Sequence, residues 1–516
     1  MNNADAPNHR RAVRGFGWLL ITAGFLICGY CLTLGWNRSI LDLHGFRQSQ
    51  TAITAYYLAQ EGFSLDYETP VLGKPWAIPF EFPFFQYLAA LVTWTGTMEL
   101  DQAGRLVSIA FWVGCLLPLH LLLKERVADP LCRWGVVLVA WSSPTYLFWS
   151  RCFLMESCAL FFSLFYLWLF IRTIRAGSLS MCFWTLLIGI MAALIKATTF
   201  LIVAVPCVLF FLLIVRGQWT DGGKILRSAL CGGAMLLLPI LGLAAWTTHA
   251  DNLREENPLG RYMVSSNLQS WNYGTLAQKC SWSTWKEISR KESLLGAPRG
   301  SLFGLIIVTL LAALLYGTRY RLEILVLLAA FTSGPLVFTN LFFRHEYYYY
   351  EIDIYLEIAL GLAVLGLTAR LSSVWQLPIQ YLAWALLFLA GILDYHRTLL
   401  PVIEATPFAS ELRRELAPLS HAGKKQDVLL VYGHDWNSSL PYYSGRKSIM
   451  AADWFSNDSV ESSISKLSPD EHIAAVIIKG PLEQDLHFVE DKIARFNLNP
   501  VPVKTSWGDY YLRRSP

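Results

Sequence analysis

No basic stripe runs along this chain, and its formal net charge is only +4, contributed by arginines scattered at the ends of apolar segments. That distribution excludes a nucleic-acid binder and suits an oriented membrane protein. None of the ten cysteines has metal-ligand spacing; most lie inside apolar runs, as Cys28, Cys31, Cys115, Cys182, Cys207 and Cys231 do, and read as small core residues. Cys152 and Cys280 both fall outside the expected membrane layer and could pair. Internal repeats and low-complexity segments are missing too. The basic N-terminus precedes an apolar run with no small-residue cleavage site after it, so a retained first helix is expected rather than a signal peptide.

What the chain has is apolar surface. Its 516 residues are 54% hydrophobic and 14% aromatic, with a mean hydropathy of +0.40, too apolar for an ordinary soluble enzyme. Runs of about 17 to 22 apolar residues can cross a ~30 Å hydrocarbon core. They occur near 16–36, 104–123, 134–150, 154–172, 181–195, 199–215, 228–247, 302–317, 322–341, 353–369 and 377–395. The expected fold is therefore a polytopic α-helical membrane protein with about 11 transmembrane helices.

Placing His9, Arg10, Arg11 and Arg14 inside makes the short even-to-odd connections cytoplasmic. Those connections carry Lys124, Arg126, Arg133, Arg172, Arg175, Arg216, Lys224, Arg227, Arg319, Arg321 and Arg370. The positive-inside rule then holds throughout. On this reading residues 1–15 are a cytoplasmic N-terminus and 16–398 the membrane domain, with outer loops at 37–103 and 248–300. From about Leu399 hydropathy collapses, and short β-rich runs at 427–433, 474–480 and 509–514 alternate with helical stretches at 457–467 and 484–496. Residues 399–516 should form a soluble extracytoplasmic α/β domain. In the second outer loop, Trp271, Trp282 and Trp285 could lie at headgroup level.

The first outer loop is the densest in chemistry. It reads HGFRQSQTAITAYYLAQEG and then ETPVLGKPWAIPFEFPFFQY. Thr51, Ala55, Leu58 and Ala59 have helical spacing, which predicts a juxtamembrane helix over 47–61 ended by Gly62, with Arg47 and Gln48 at its N-terminal end. Helix N-terminal amides with a guanidinium suit a phosphate, although Arg47 and His44 could equally contact lipid headgroups. Prolines on both sides of Glu81 fix an extended backbone and set this carboxylate among aromatics. A carboxylate stripped of water there suits proton transfer from an acceptor hydroxyl or amine; the alternative is a salt bridge to an arginine that only clamps the loop.

Other ionisable groups stand at the same outer depth. FFRHEYYYYEID places Arg344, His345 and Glu346 before Tyr347 and three more tyrosines. The tyrosines alone would be an interfacial belt; with Arg344 and His345 they could hold a lipid phosphate, and His345 with Glu346 could ligate a divalent metal. Arg151 and Glu156 begin a span and Lys196 ends one; each is a functional candidate, and for Lys196 snorkelling is the plainer alternative. His120 is expected to be a satisfied bundle residue.

The layout and the motifs HGFRQSQTA, PFEFPFFQY and RHEYYYY resemble the GT-C superfamily of membrane glycosyltransferases, specifically the protein mannosyltransferase and lipid A aminoarabinose transferase group, over about residues 16–395. The resemblance implies a polyprenyl-phosphate sugar donor and transfer on the outer face to a lipid, glycan or protein acceptor. It also implies a first-loop carboxylate that assists the acceptor. Counting back from Gly62, the acidic pair of that group corresponds to Arg47 and Gln48 here. Its Glu-Lys-Pro-Pro return motif corresponds to Glu81, Phe82, Pro83 and Phe84, so the glutamate is kept and the lysine is not. Glu81, Asp42 or His44 would then serve as the base, or the protein has another activity. Arg47, Gln48, Arg151, Lys196, Arg344 and His345 would meet the charge on the leaving phosphate. The location implied is a bacterial inner membrane with the C-terminal domain in the periplasm.

Two readings from other classes compete. A transporter or flippase would suit eleven spans with a few buried charges, but the charges cluster at one face and no inverted repeat or pair of broken helices is visible. A non-catalytic membrane scaffold would suit the missing aspartate.

Overall fold

The structure is a computed structural model that describes residues 6–217, 222–295 and 302–514. Residues 296–300, the end of the expected second outer loop, lie outside the described residues. The chain divides into two compact units, each built from three separate stretches.

The first unit takes in residues up to Leu34, Ser108–Leu243 and Gln269–Ile403. Every apolar run singled out above is helical, three of them as two helices in succession. Among the described residues six helical segments are long and apolar enough to cross a membrane: Arg11–Thr33, Leu100–Lys124, Glu156–Ala176, Ala197–Gly217, Gly222–Glu256 and Ser373–Ala405. Shorter helices fill the remaining positions, among them Pro130–Trp141, Leu179–Ile195, Phe303–Leu315, Arg321–Val337 and Tyr349–Thr368. With the composition, these make the chain a multi-pass membrane protein.

The run expected as one span over 134–150 is two helices. Pro130–Trp141 stops at Ser142, and Pro144 opens Pro144–Trp149, because a proline nitrogen cannot donate to the preceding turn but fits a first helical position. Aromatic stacking holds the break: the buried Trp112 ring lies between Trp141 at 5.1 Å and Tyr146 at 4.4 Å. Some polar groups near the break find partners, although Ser143 Oγ has none among the described residues. Tyr350 Oη is 2.8 Å from both Ser150 Oγ and Ser157 Oγ, and Thr145 Oγ1 donates to Asp353 at 2.7 Å. His120 stacks on Trp134 at 5.2 Å, yet its Nδ1 has no hydrogen-bond partner among the described residues. Cys152 is buried, Cys280 is exposed and both are free thiols, so the suggested disulfide is not formed.

The second unit joins Gly35–Val107, Ala244–Leu268 and the chain from Glu404 onward. Its sheet has five strands: β1 Val428–Tyr432, β2 Ser448–Ala451, β3 Ile473–Ile478, β4 Val503–Thr505 and β5 Gly508–Leu512. They lie in the order β2-β1-β3-β5-β4. β2, β1 and β3 run parallel, while β5 is antiparallel to β3 and to β4. The three parallel strands are wholly buried or nearly so, which is why 427–433 and 474–480 read as continuous apolar runs.

First-loop residues extend this sheet. Ser448 N donates to Pro70 O at 2.9 Å, Met450 N to Val71 O at 2.9 Å and Gly73 N to Ser448 O at 3.2 Å. Residues 70–73 thus cover the edge of β2, which would otherwise expose unpaired amides. Asn257 fastens the same turn through Nδ2, which donates to Gly73 O at 2.8 Å and Pro75 O at 2.9 Å. Lys74 binds Glu471 at 2.6 Å, and although burial opposes it, this pairing holds the Glu471 carboxyl below the usual range. A second fastening lies at Asp101, where the carboxylate accepts from both Tyr442 Oη and Tyr443 Oη. Tyr443 Oη in turn accepts from Ile40 N at 2.9 Å.

Candidate active site

In the second unit the juxtamembrane helix spans Gly45–Glu61, two residues longer at its start than the spacing suggested. Gly62 ends it with φ +89, and its N–H donates to Leu58 O at 3.0 Å, a backbone that only glycine adopts without cost. At the start, His44 occupies the left-handed region with φ +54. Its carbonyl accepts from Arg47 N at 2.9 Å and Gln48 N at 3.1 Å, and its side chain makes no cap bond to the helix.

That first turn aims Arg47 and Gln48 in different directions. The buried Gln48 turns back on the loop, with Nε2 donating to Asp42 Oδ1 and, at 3.0 Å, to Leu43 O. Arg47 points to the return segment: NH1 donates to Gln50 Oε1 at 2.6 Å, and NH2 forms an ion pair with Glu81 Oε1. The salt bridge named above as the alternative role for Glu81 is therefore present. Its partners are one-fifth to one-quarter exposed, with side-chain values of 18% for Arg47 and 26% for Glu81. The pair can still be reached.

The backbone around Glu81 is held by groups that sequence inspection passed over. Tyr67 Oη donates to Glu81 O at 2.7 Å and accepts from Phe80 N at 2.7 Å. Burial pushes the Tyr67 phenol well above its ordinary range, so it remains a donor at any working pH. Trp246 Nε1 donates to Phe80 O at 3.3 Å, and the Trp246 ring meets Phe82 edge-on at 5.3 Å. Trp436 lies against both sides of the pair's surroundings, 4.9 Å from Phe46 and 5.5 Å from Phe80. The loop after β1 thus reaches the residues adjoining Arg47 and Glu81 in sequence.

In the first unit the ionisable residues gather differently. Lys196, in the break between Leu179–Ile195 and Ala197–Gly217, places its ammonium 2.7 Å from Glu156 and 2.5 Å from Glu351. All three are buried. Thr198 Oγ1 donates to Glu351 at 2.7 Å, and the ammonium also lies over Tyr348 at 4.5 Å and Tyr347 at 5.4 Å. Two carboxylates around one ammonium leave no surplus positive charge for a phosphate at this point. Glu351 was missed although it stands in the same motif as His345; an acidic residue inside an apolar run carries the same signal that marked Glu156.

Arg151 is buried and places its guanidinium 5.4 Å from the Phe148 ring. Arg344 is exposed, with its guanidinium 5.5 Å from the Phe343 ring. His345 packs between Trp271 at 5.8 Å and Tyr347 at 5.4 Å. Glu346 is taken up by Lys291 at 2.7 Å. Among the described residues no three His, Cys, Asp or Glu side chains gather where they could hold a metal ion. His345 and Glu346 have no third such side chain gathered with them among the described residues.

Two solved structures of ArnT from Cupriavidus metallidurans, one bound to undecaprenyl phosphate and one in the apo state, align with this chain nearly end to end. The TM-scores are 0.61 and 0.60 at 12% identity, covering 96% and 97% of this chain and 98% of that one. The chain has the fold of ArnT. At that identity the likeness to ArnT is one of fold, and it extends through the C-terminal sheet as well as the helices. No family model and no curated protein matches the sequence.

Proposed function

We propose that this protein is a glycosyltransferase that moves a sugar from a polyprenyl-phosphate carrier to a lipid, glycan or protein acceptor on the outer face of a bacterial inner membrane. The observation that carries the reading is the Arg47–Glu81 pair, set by two rigid segments of the first loop in a chain with the fold of a protein solved with undecaprenyl phosphate. The positive-inside rule gives the orientation, with the N-terminus cytoplasmic and the first loop and C-terminal sheet outside.

In the proposed displacement an acceptor hydroxyl or amine attacks the anomeric carbon on the face opposite the phosphate. A new bond to that carbon forms as the bond from carbon to phosphate oxygen breaks, which inverts the centre. The acceptor proton passes to Glu81, and the polyprenyl phosphate leaves with its negative charge met by Arg47. Before the donor arrives, each member of the ion pair satisfies the other. A phosphate that draws the Arg47 fork toward itself frees the Glu81 carboxylate for the acceptor. Asp42 and His44 take the lesser role of shaping the helix start, since Asp42 is engaged by Gln48 and the His44 carbonyl accepts from the first turn.

The test is transfer from a synthetic undecaprenyl-phosphate sugar by the purified protein, with mass spectrometry of envelope glycans from cells with and without the gene. Loss of one glycan species on deletion, and loss of transfer in Glu81→Gln, are expected. An unchanged envelope profile, or full activity of Glu81→Gln, would overturn the reading.

A further inference from the structure

A deep apolar shaft in the first unit has no part in the displacement described above. It lies, partly open to the outside, between the helices Leu116–Lys124, Glu156–Ala176, Ala197–Gly217, Arg321–Val337 and Tyr349–Thr368. Leu123, Trp168, Phe210, Leu327, Tyr355 and Leu362 contribute to its wall. Among the described residues its charged lining groups are Glu125, Arg126, Arg175 and Glu323, on the side that the positive-inside rule makes cytoplasmic.

These four charges balance, but Arg172, beside the mouth, adds a third arginine. Arg126 pairs with Glu323 at 2.7 Å, while Glu125 serves two arginines, Arg172 at 3.3 Å and Arg175 at 2.8 Å. With Arg172 counted, three guanidinium groups share two carboxylates, a surplus that favours an anion. Arg126 and Arg175 are 47% and 38% exposed at their side chains, so their forks can be reached from outside. The shaft's reach can be read along Tyr349–Thr368. Its lining residues on that helix run from Leu362 to Ile354, about 12 Å at 1.5 Å per residue. One leaflet of a ~30 Å hydrocarbon core is about 15 Å deep. A dry apolar cavity of this kind takes an apolar ligand rather than water.

We propose that the shaft binds one acyl chain of an anionic glycerophospholipid, whose phosphate sits on Arg126 and Arg175. The depth of a single leaflet fits an acyl chain and is short for a long polyprenyl tail. This site is independent of the transfer reaction, and its failure would leave the transferase reading standing.

Native mass spectrometry of the full-length protein in detergent, titrated with phosphatidylglycerol, phosphatidylethanolamine or undecaprenyl phosphate, tests the site. One phosphatidylglycerol is expected to be retained in preference to phosphatidylethanolamine. Leu327→Trp, which fills the shaft, should abolish it, and the pair Arg126→Gln with Arg175→Gln should weaken it tenfold or more. The arginine variant lies at the exposed mouth and decides the matter even if Leu327→Trp does not fold. Phosphatidylglycerol binding that both arginine changes leave intact would overturn the proposal. So would undecaprenyl phosphate displacing phosphatidylglycerol and being lost with it in Leu327→Trp.

Discussion

The Arg47 guanidinium closes on a Glu81 carboxylate 34 positions away in sequence, and the two roles open to that carboxylate predict different losses. As a proton acceptor it should cost about 10²- to 10⁴-fold in turnover when changed to Gln. As a partly exposed clamp it should cost about 1 kcal/mol or less of stability. Glu81→Gln is therefore expected to lower kcat at least 100-fold while the thermal midpoint moves little. Arg47→Ala should also slow transfer, and the double variant should lose less than the product of the two single losses. A Glu81→Gln protein that melts early but turns over normally would leave only the clamp.

Lys196 has a different expected signature. Lys196→Met strips the buried Glu156 and Glu351 carboxylates of their counter-charge, at a cost of about 3–5 kcal/mol. Thermal unfolding in detergent should show it as the most destabilising change among the predicted phosphate-binding residues. Adding Glu156→Gln and Glu351→Gln to it should restore most of the loss. A Lys196→Met protein as stable as the parent would sink this account of the triad.

The two tyrosine hydroxyls on Asp101 predict a local effect. Asp101→Ala leaves both buried hydroxyls without their acceptor, at about 1–3 kcal/mol each before relaxation. Limited proteolysis should then cut the second unit faster near 439–444, while Tyr442→Phe, which removes one donor and strands nothing larger, should be milder.

His434 supplies a pH dependence. Burial lowers its pKa below the usual histidine value, and its Nε2 donates to Trp507 O at 2.7 Å. The unfolded chain therefore binds this proton more readily than the folded one, so stability is intact above the unfolded value near 6.5 and falls as pH drops below it toward the folded value. Thermal midpoints measured from pH 7.5 to 5.5 should fall less steeply in His434→Gln than in the parent. Equal slopes would show that other groups set the acid limit.

The membrane helices were legible because a span leaves a local record, a long apolar run between charged ends. The helix before Gly62 and strands β1, β3 and β5 were legible for similar reasons. β2, with only Ser448–Ala451, and β4, with Val503–Thr505, are too short for a periodic signal. The second unit was not legible as a unit at all. Its assembly rests on pairings such as Leu72 with Ile449 and Asp101 with Tyr442, and a contact across more than 300 residues has no local pattern. The triad shows a third kind of loss: Glu351 was in plain view, but the tyrosine run drew attention to the arginine and histidine before it.

The edge strand at 70–73 has a consequence for the order of synthesis. Its partner β2 begins 376 residues after Leu72 (448 − 72), which at about 5–20 residues per second is a delay of roughly 20 to 75 s. Through that interval the first loop waits without its sheet, and a C-terminal fragment made alone from Glu404 would carry a bare β2 edge. Such a fragment should aggregate unless the first loop is supplied as a separate peptide, so the last domain of this chain to emerge is completed by one of the first segments to be made.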